Sequence, residues 1–436
     1  MVRPLRVRFR SVSVPLAILF FLTAVPAFPS GFQINTQGAR AMGMGLAFTA
    51  VANDPSAIFF NPAGLGWQKH FEALTGASLL TKTEGDVTGE NPFPGINDTE
   101  KEHKTTFVVP TLYVVAPLTS EINFGLGIFS QYGLGFRWDN AETFSGRFVA
   151  QNAVIQSVDL NPVLSFQATP AIAVAVGADY RFSKVQLERN QAAINPFTNS
   201  VVDVAHIKLN SKLTDNHGWG WNAGILVRPV PQLSFGAAYR SKIKVNYDGT
   251  ANFEQRLTGN AQFDGIVASQ LPKGSHPVTT SIQFPGSLNL GAAVTLPGQL
   301  TVSADADWTE WSKFQSLDIL FPDLTGRDLH RINSWKNSWA YRGGLEKKFS
   351  NFALRAGYYR DKTPQPVENA GPILADSDRN GYSLGFGYDT DRWGVDVSDL
   401  YLKFKKLDTA GRSQDNFFGQ YKESANVFAF SLRLSF

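Results

Sequence analysis

The stretch Phe428-Ala-Phe-Ser-Leu-Arg-Leu-Ser-Phe436 alternates without a break. Successive side chains of a strand point to opposite faces. Phe428, Phe430, Leu432, Leu434 and Phe436 therefore share one side, and Ala429, Ser431, Arg433 and Ser435 the other. One face is apolar and aromatic; the other is small or polar. Leu300, Val302, Ala304, Ala306 and Trp308 alternate in the same way with Thr301, Ser303, Asp305, Asp307 and Thr309. So do Ile172, Val174, Val176, Ala178, Tyr180 and Phe182 with Ala173, Ala175, Gly177, Asp179 and Arg181. A soluble sandwich alternates too, but its strands are usually shorter and their apolar face meets a second sheet. Runs near the ~10 residues of a tilted membrane strand fit lipid on one face and a polar lumen on the other.

About fourteen such segments follow one another. They begin near Phe71, Thr106, Ile122, Val154, Ile172, Gly218, Leu233, Ile282, Leu300, Trp335, Asn351, Tyr382, Trp393 and Glu423. Short turns, such as Leu296-Pro297-Gly298 and Asp389-Thr390-Asp391, alternate with long polar connections at 81–104, 137–152, 190–216, 253–279, 315–334, 361–380 and 405–422. Short turns on the periplasmic side opposite long external loops are the arrangement of an outer-membrane barrel, and an even strand number returns both ends to the periplasm. The expected fold is all-β: a transmembrane antiparallel β-barrel of about 14 strands over residues 69–436.

Composition agrees. Aromatic residues make up 13% and charged residues 18% of the chain, between a helical membrane protein and a typical soluble enzyme. There is no cysteine, hence no disulfide or thiolate-metal option. Residues 1–30 read as a secretory signal: Arg3, Arg6, Arg8 and Arg10, an apolar run from Val12 to Val25, then Val25-Pro26-Ala27. Cleavage after Ala27 or nearer Gly31 is expected. Without those four arginines the formal charge falls from +3 to −1, so no nucleic-acid partner is implied.

Residues 31–68 break the alternation. Gly31-Phe-Gln-Ile-Asn-Thr-Gln-Gly-Ala-Arg-Ala-Met-Gly-Met-Gly is dense in Gly and Ala, and Asn61-Pro62-Ala63 follows. A compact segment ahead of a long barrel is most simply a hatch folded into the lumen. Asn61 suits an N-cap and Pro62 the first helical position; Asn61 can also tie the hatch to the wall. Gly31-Phe32-Gln33 and Asn61-Pro62-Ala63 resemble the N-terminal hatch of the FadL-type long-chain fatty acid transporters of bacterial outer membranes. Gly218-Trp-Gly-Trp-Asn-Ala-Gly224, Pro285-Gly-Ser-Leu-Asn-Leu-Gly291 and Asp305-Ala-Asp-Trp-Thr-Glu-Trp311 resemble the same family in the same order. Phe436 on an outward aromatic face resembles the C-terminal signal read by the barrel-assembly machinery.

The resemblance implies passive uptake of a long-chain fatty acid or other hydrophobic small molecule in the outer membrane of a Gram-negative bacterium, by a protein that works as a monomer among outer-membrane lipid and lipopolysaccharide. Capture at the outside, a lumen pocket and lateral exit through the wall would follow one another. Ile194, Phe197, Val202, Phe263, Ile266 and Leu271 are unusually apolar for external loops and match the family's capture groove; they could equally pack on one another as a lid. Tyr132, Gly133 and Gly135 resemble the family's kinked third strand. Glycine inside a strand marks a bulge or bend, or makes room for a bulky neighbour. Asn61 is a candidate to satisfy backbone groups freed by such a kink. Arg189, and more loosely Arg331, match basic positions that meet a ligand carboxylate, and Phe32 one that touches the ligand tail. Either arginine could also be an ordinary rim charge.

Three rivals stand against this reading. A general porin would lack the 31–66 segment. Uptake of aromatic hydrocarbons is the alternative substrate class. For a lipid hydrolase the six histidines are scattered, with no HExxH or GxSxG, and Asp305 and Asp307 are explained by a polar lumen wall. No catalytic residue, metal ligand or cofactor is expected.

Overall fold

The computed structural model of the chain describes residues 31–90, 94 and 99–436. The signal segment and its cleavage position lie outside the described residues. Fourteen antiparallel strands form the wall. They are β1 Glu72–Gly89, β2 Thr106–Pro117, β3 in two pieces (Ile122–Phe129 and Gly133–Arg137), β4 Asn152–Thr169 and β5 Ile172–Asn195. Then follow β6 His217–Val230, β7 Leu233–Arg240, β8 Ser287–Leu296, β9 Leu300–Thr309 and β10 Ser338–Phe349. The wall ends with β11 Phe352–Asp361, β12 Arg379–Asp389, β13 Trp393–Phe404 and β14 Gly419–Ser435. Each pairs with the next, and β14 returns to β1 from Glu72↔Ser435 to Gly89↔Gly419, closing the barrel. Closure leaves no open edge, as hydrocarbon demands.

The alternation places the residues as its chemistry requires. Phe428, Phe430, Leu434 and Phe436 stand on the outside, whereas Ala429 and Ser431 are buried inside. Most strands start within a few residues of their expected positions. One assignment fails: Ile282 belongs to a separate strand, Ser275–Phe284, and the wall strand begins at Ser287.

The long connections at 190–216 and 253–279 are largely ordered, contrary to the expectation of loops. β5 runs on past the membrane to Asn195 and turns into a strand at Ser200–Ser211. That strand pairs with Ile243–Gln255, which pairs with Ser275–Phe284. Between the last two lies helix α3, Ala261–Gln270; its predecessors, α1 Ala39–Gly43 and α2 Ala57–Phe60, are in the hatch. The requirement of ~10 residues limits only the membrane-crossing part of a strand. Pairing continues beyond it wherever another strand is at hand.

Residues 31–68 fill the lumen and are buried nearly throughout. They form α1 Ala39–Gly43, α2 Ala57–Phe60 and a 3₁₀ turn at Pro62–Trp67, packed through Met42, Met44, Phe48, Ile58 and Leu65. Polar lumen positions hold this segment in place. Arg40 donates to both oxygens of Glu346 at 2.8 and 2.9 Å. Ser398 donates to Ala39 O at 2.8 Å, and Ala39 N donates to Ser431 at 3.0 Å. Asp305 accepts the Thr49 N–H at 2.8 Å and Asp307 pairs with Arg342, so these two acids serve the wall and the hatch. Gly45, at φ +62°, lies so close to β10 and β11 that a Cβ would sit 2.7 Å from Tyr358 N.

Candidate functional site

The wall is interrupted at one place in the third strand. The first piece of β3 pairs with β2 from Pro117↔Asn123 to Leu112↔Ile128. The second piece, Gly133–Arg137, pairs only with β4, from Gly133↔Gln156 to Arg137↔Asn152. On its side toward the broken strand, β2 is paired with β3 from Leu112 onward, and Val108 to Thr111 have no strand partner there among the described residues, although the other edge of β2 stays paired with β1. The break itself is Ser130-Gln131-Tyr132. Gly133 and Gly135 follow it in regular, paired strand, so the chain bends just ahead of the expected glycines.

Unpaired backbone groups facing hydrocarbon cost several kcal/mol each, roughly. Here the first residues of the hatch take the place of a strand neighbour. Ile34 N donates to Gln131 O at 2.7 Å and Gly133 N to Phe32 O at 2.8 Å. Gln37 Nε2 donates to Ser130 O at 2.5 Å. β4 supplies side chains: Gln131 N donates to Asp159 Oδ2 at 3.2 Å, Tyr132 N to Ser157 Oγ at 3.2 Å, and Ser157 Oγ to Tyr132 O at 2.6 Å. Arg181 pairs with Asp159 at 2.6 Å and donates to Gln131 Oε1 at 2.7 Å. Its guanidinium covers the rings of Tyr132 and Phe284 at 4.6 and 4.8 Å.

Asn61 is not at the break, contrary to expectation. Its Oδ1 accepts the Ala63 N–H at 3.2 Å, capping the 3₁₀ turn with Pro62 in first position. Its Nδ2 donates to Ile225 O on β6 at 3.1 Å and to Thr49 O at 3.0 Å. A Cβ on Gly224 would lie 2.2 Å from Asn61 Oδ1, so the wall glycine makes this contact possible.

Beside the break, under the outer sheet, lies an apolar cavity of about 110 Å³. Leu134, Ile155, Val185, Leu187, Tyr247 and Ile282 line much of it, and no charged residue does. Two residues from Ile282, Phe284 packs on Phe32, with ring centroids 6.0 Å apart. Phe32 is enclosed further by Tyr132, Trp311, Phe314 and Trp335, at 5.9, 4.9, 5.3 and 5.7 Å.

Arg189 follows Val185 and Leu187 on the same face of β5, at the outer side of the cavity. It is half-buried, and its one side-chain hydrogen bond runs to Phe148 O at 3.4 Å; no described carboxylate pairs with it. Arg331 stands elsewhere. Both its terminal nitrogens grip Asp415, at 2.5 and 2.9 Å, and it also donates to Asn369 O, clamping two external loops. It does not line the cavity. Of the apolar external residues, Phe263 and Val267 of α3 pack on Val204, with Val202 alongside. Ile194, Phe197 and Ile266 stay exposed around that contact, and Leu271 is half-buried.

Sequence reading missed Ser157, Asp159 and Arg181. They occupy inward positions of strands that otherwise alternate normally. Asp159 and Arg181, fully charged residues opposite an apolar face, were the available signal, but their pairing Asp159↔Arg181 across β4 and β5 is visible only in the register.

The chain is similar to several known proteins. A long-chain fatty acid transport protein of Escherichia coli O6:H1 is 24% identical over 427 residues, covering 90% of this chain and 91% of the relative. Outer membrane protein P1 of Haemophilus influenzae is 25% identical, covering 97% and 98%. Among solved structures, a Pseudomonas aeruginosa FadL homologue superposes with TM-score 0.76 at 22% identity, over 93% of this chain and 100% of that one. The toluene transporter TodX of Pseudomonas putida superposes with TM-score 0.72 at 18% identity, over 92% and 98%. The profile of the outer membrane protein transport protein family (OMPP1/FadL/TodX) matches residues 20–436, and this outer-membrane barrel belongs to that family.

Proposed function

We propose that the protein admits hydrophobic small molecules by facilitated diffusion, taking them from the outside into the apolar cavity and releasing them sideways through the break in β3. The observation that carries this reading is the juxtaposition of an uncharged cavity with the break in β3, whose second piece contributes Leu134 to the cavity lining, above a lumen closed by the hatch. An apolar chain gains about 0.8 kcal/mol per buried CH₂. A sixteen-carbon acyl chain would thus forgo roughly 11 kcal/mol in a water-filled pore, whereas a path from greasy cavity to membrane avoids that step.

The preferred ligand is a long-chain fatty acid. Arg189, a cation with no carboxylate partner among the described residues, is assigned to the head group, and Phe32, behind Phe284, to the tail. Ile194, Phe197 and Ile266 serve first capture. Aromatic hydrocarbons are the second reading, favoured by the absence of charge within the cavity itself and by the toluene transporters of this fold. Arg331 is read as a loop clamp. The reading involves no catalysis and no cofactor; among the described residues no three His, Cys, Asp or Glu side chains are placed to hold a metal. A monomer, delivered to the membrane by its C-terminal strand, suffices for the task.

The test is uptake by cells lacking other routes for these compounds. Cells carrying this protein should accumulate labelled long-chain fatty acid, and toluene as a second substrate. Accumulation no faster than in cells without it, for both compounds, would refute the proposal.

A further inference from the structure

Three neighbouring wall strands carry a distinctive outward pattern at the long-loop end. Tyr358, Tyr382 and Tyr401 stand side by side on β11, β12 and β13, paired Tyr358↔Tyr382 and Tyr382↔Tyr401, and all three face outward. On β13 the outward positions between Trp393 and Tyr401 span eight residues, about 26 Å along the strand at ~3.3 Å each. At a strand tilt of 35–45° this climbs roughly 19–22 Å, which puts the tyrosines just inside the outer edge of the ~25 Å apolar band between two aromatic girdles. The tyrosines therefore mark the outer interface.

One row farther out, the same strands carry Arg360↔Asn380 and Asn380↔Lys403. Arg360 and Lys403 are exposed and about 10 Å apart across two strand spacings. Lys405 and Lys406 continue the charge on the outer side. Lys422, on β14, is already engaged by Glu84 at 2.5 Å. One row deeper, the outward position of β13 is Asp399, paired in register with Leu384 and Phe428. An anion is disfavoured there, which confines it to the rim.

Cations at this height, above tyrosines that meet acyl chains, face lipid head groups rather than water alone. We propose that Arg360 and Lys403, with Lys405 and Lys406, form a binding site for the phosphates of a phosphorylated glycolipid in the outer leaflet, whose acyl chains lie along Tyr358, Tyr382 and Tyr401. The site is on the outer surface of the wall and is separate from the cavity and the break.

The test uses the full barrel in detergent, with native mass spectrometry reading lipid bound on addition of bisphosphorylated lipid A, dephosphorylated lipid A or inorganic phosphate. The double variant Arg360→Gln/Lys403→Gln should bind bisphosphorylated lipid A on the order of thirtyfold more weakly, from two interfacial cations. A control, Lys242→Gln/Lys244→Gln at the start of the outer-sheet strand Ile243–Gln255, should bind as the parent does. Heat-modifiable mobility on gels should be unchanged in both. Equal binding by parent and double variant, or equal binding of dephosphorylated lipid A, would overturn the proposal. So would inorganic phosphate at millimolar concentration displacing the lipid completely, since the site would then be one for the free anion.

Discussion

Replacing Arg189 by Ala separates the head-group role from a structural one. The side chain makes one long hydrogen bond, 3.4 Å to Phe148 O, and no described ion pair. Its removal leaves no carboxylate stranded, unlike the loss of one partner of a buried pair, which costs about 3–5 kcal/mol. Barrel stability should therefore move by less than about 1 kcal/mol. Binding of a fatty-acid anion should weaken by about 1.5–3 kcal/mol, the range for a hydrogen bond to a charged group, or some 12- to 160-fold in Kd. The assay is displacement of a fluorescent fatty acid from detergent-solubilised protein, repeated with the methyl ester of the same acid. The ester cannot use the cation's charge and should bind parent and variant within about twofold. Equal loss for acid and ester would show that Arg189 shapes the cavity instead. No loss for either would remove it from the site and favour a neutral hydrocarbon as ligand.

Other consequences follow from the same geometry. Ser157→Ala removes the acceptor of the Tyr132 N–H and the donor to Tyr132 O; it should destabilise the barrel by about 1–3 kcal/mol, seen as a lower temperature for loss of compact gel mobility, and an unchanged transition would refute the account of how the break is held. Gly224→Val puts a side chain where Asn61 Oδ1 sits; the hatch should loosen, and ion conductance in planar bilayers should rise above that of the parent. Conductance identical to the parent's would mean that Asn61 does not anchor the hatch. Ile266→Asp places a charge among the exposed apolar residues outside the cavity; uptake should slow at low external ligand while binding in detergent stays within about twofold, since a single buried apolar side chain is worth roughly 1.5–3 kcal/mol only where it is desolvated. Equal losses in uptake and binding would place Ile266 in the cavity site rather than at a capture surface.

The wall was legible because lipid on one face and a polar lumen on the other force a period of two, as in Phe428–Phe436, over a length set by the bilayer. The hatch was legible by contrast, since Gly31–Gly66 interrupts that period. The outer sheet was not. Val201, Val202 and Val204 lack alternation, and a strand in water has no length rule, so Ser200–Ser211 looked like an apolar loop. Gly133 and Gly135 lie just after the break in β3, and the residues that hold the break come from strands distant in sequence. Ser157, Asp159 and Ile34 meet Gln131 and Tyr132 only through the barrel's closure. The cavity is likewise assembled from six or more segments, none of which differs locally from ordinary strand. Arg189 and Arg331 looked alike in sequence; only the coordinates show that Asp415 occupies one and no described carboxylate the other.

The central claim is that ligand leaves through the wall. The most direct test is the position of covalent label left by a photoreactive apolar ligand, a diazirine fatty acid, flash-activated during uptake. Lateral exit predicts label on residues 108–111 of β2 and on Gly133–Arg137, on either side of the break. A second space lies at the periplasmic mouth beneath the hatch, lined by Asn53, Arg228, Ser234 and Thr295 among others. Label concentrated there, with the gap unlabelled, would contradict lateral exit and send the ligand past the hatch into the periplasm.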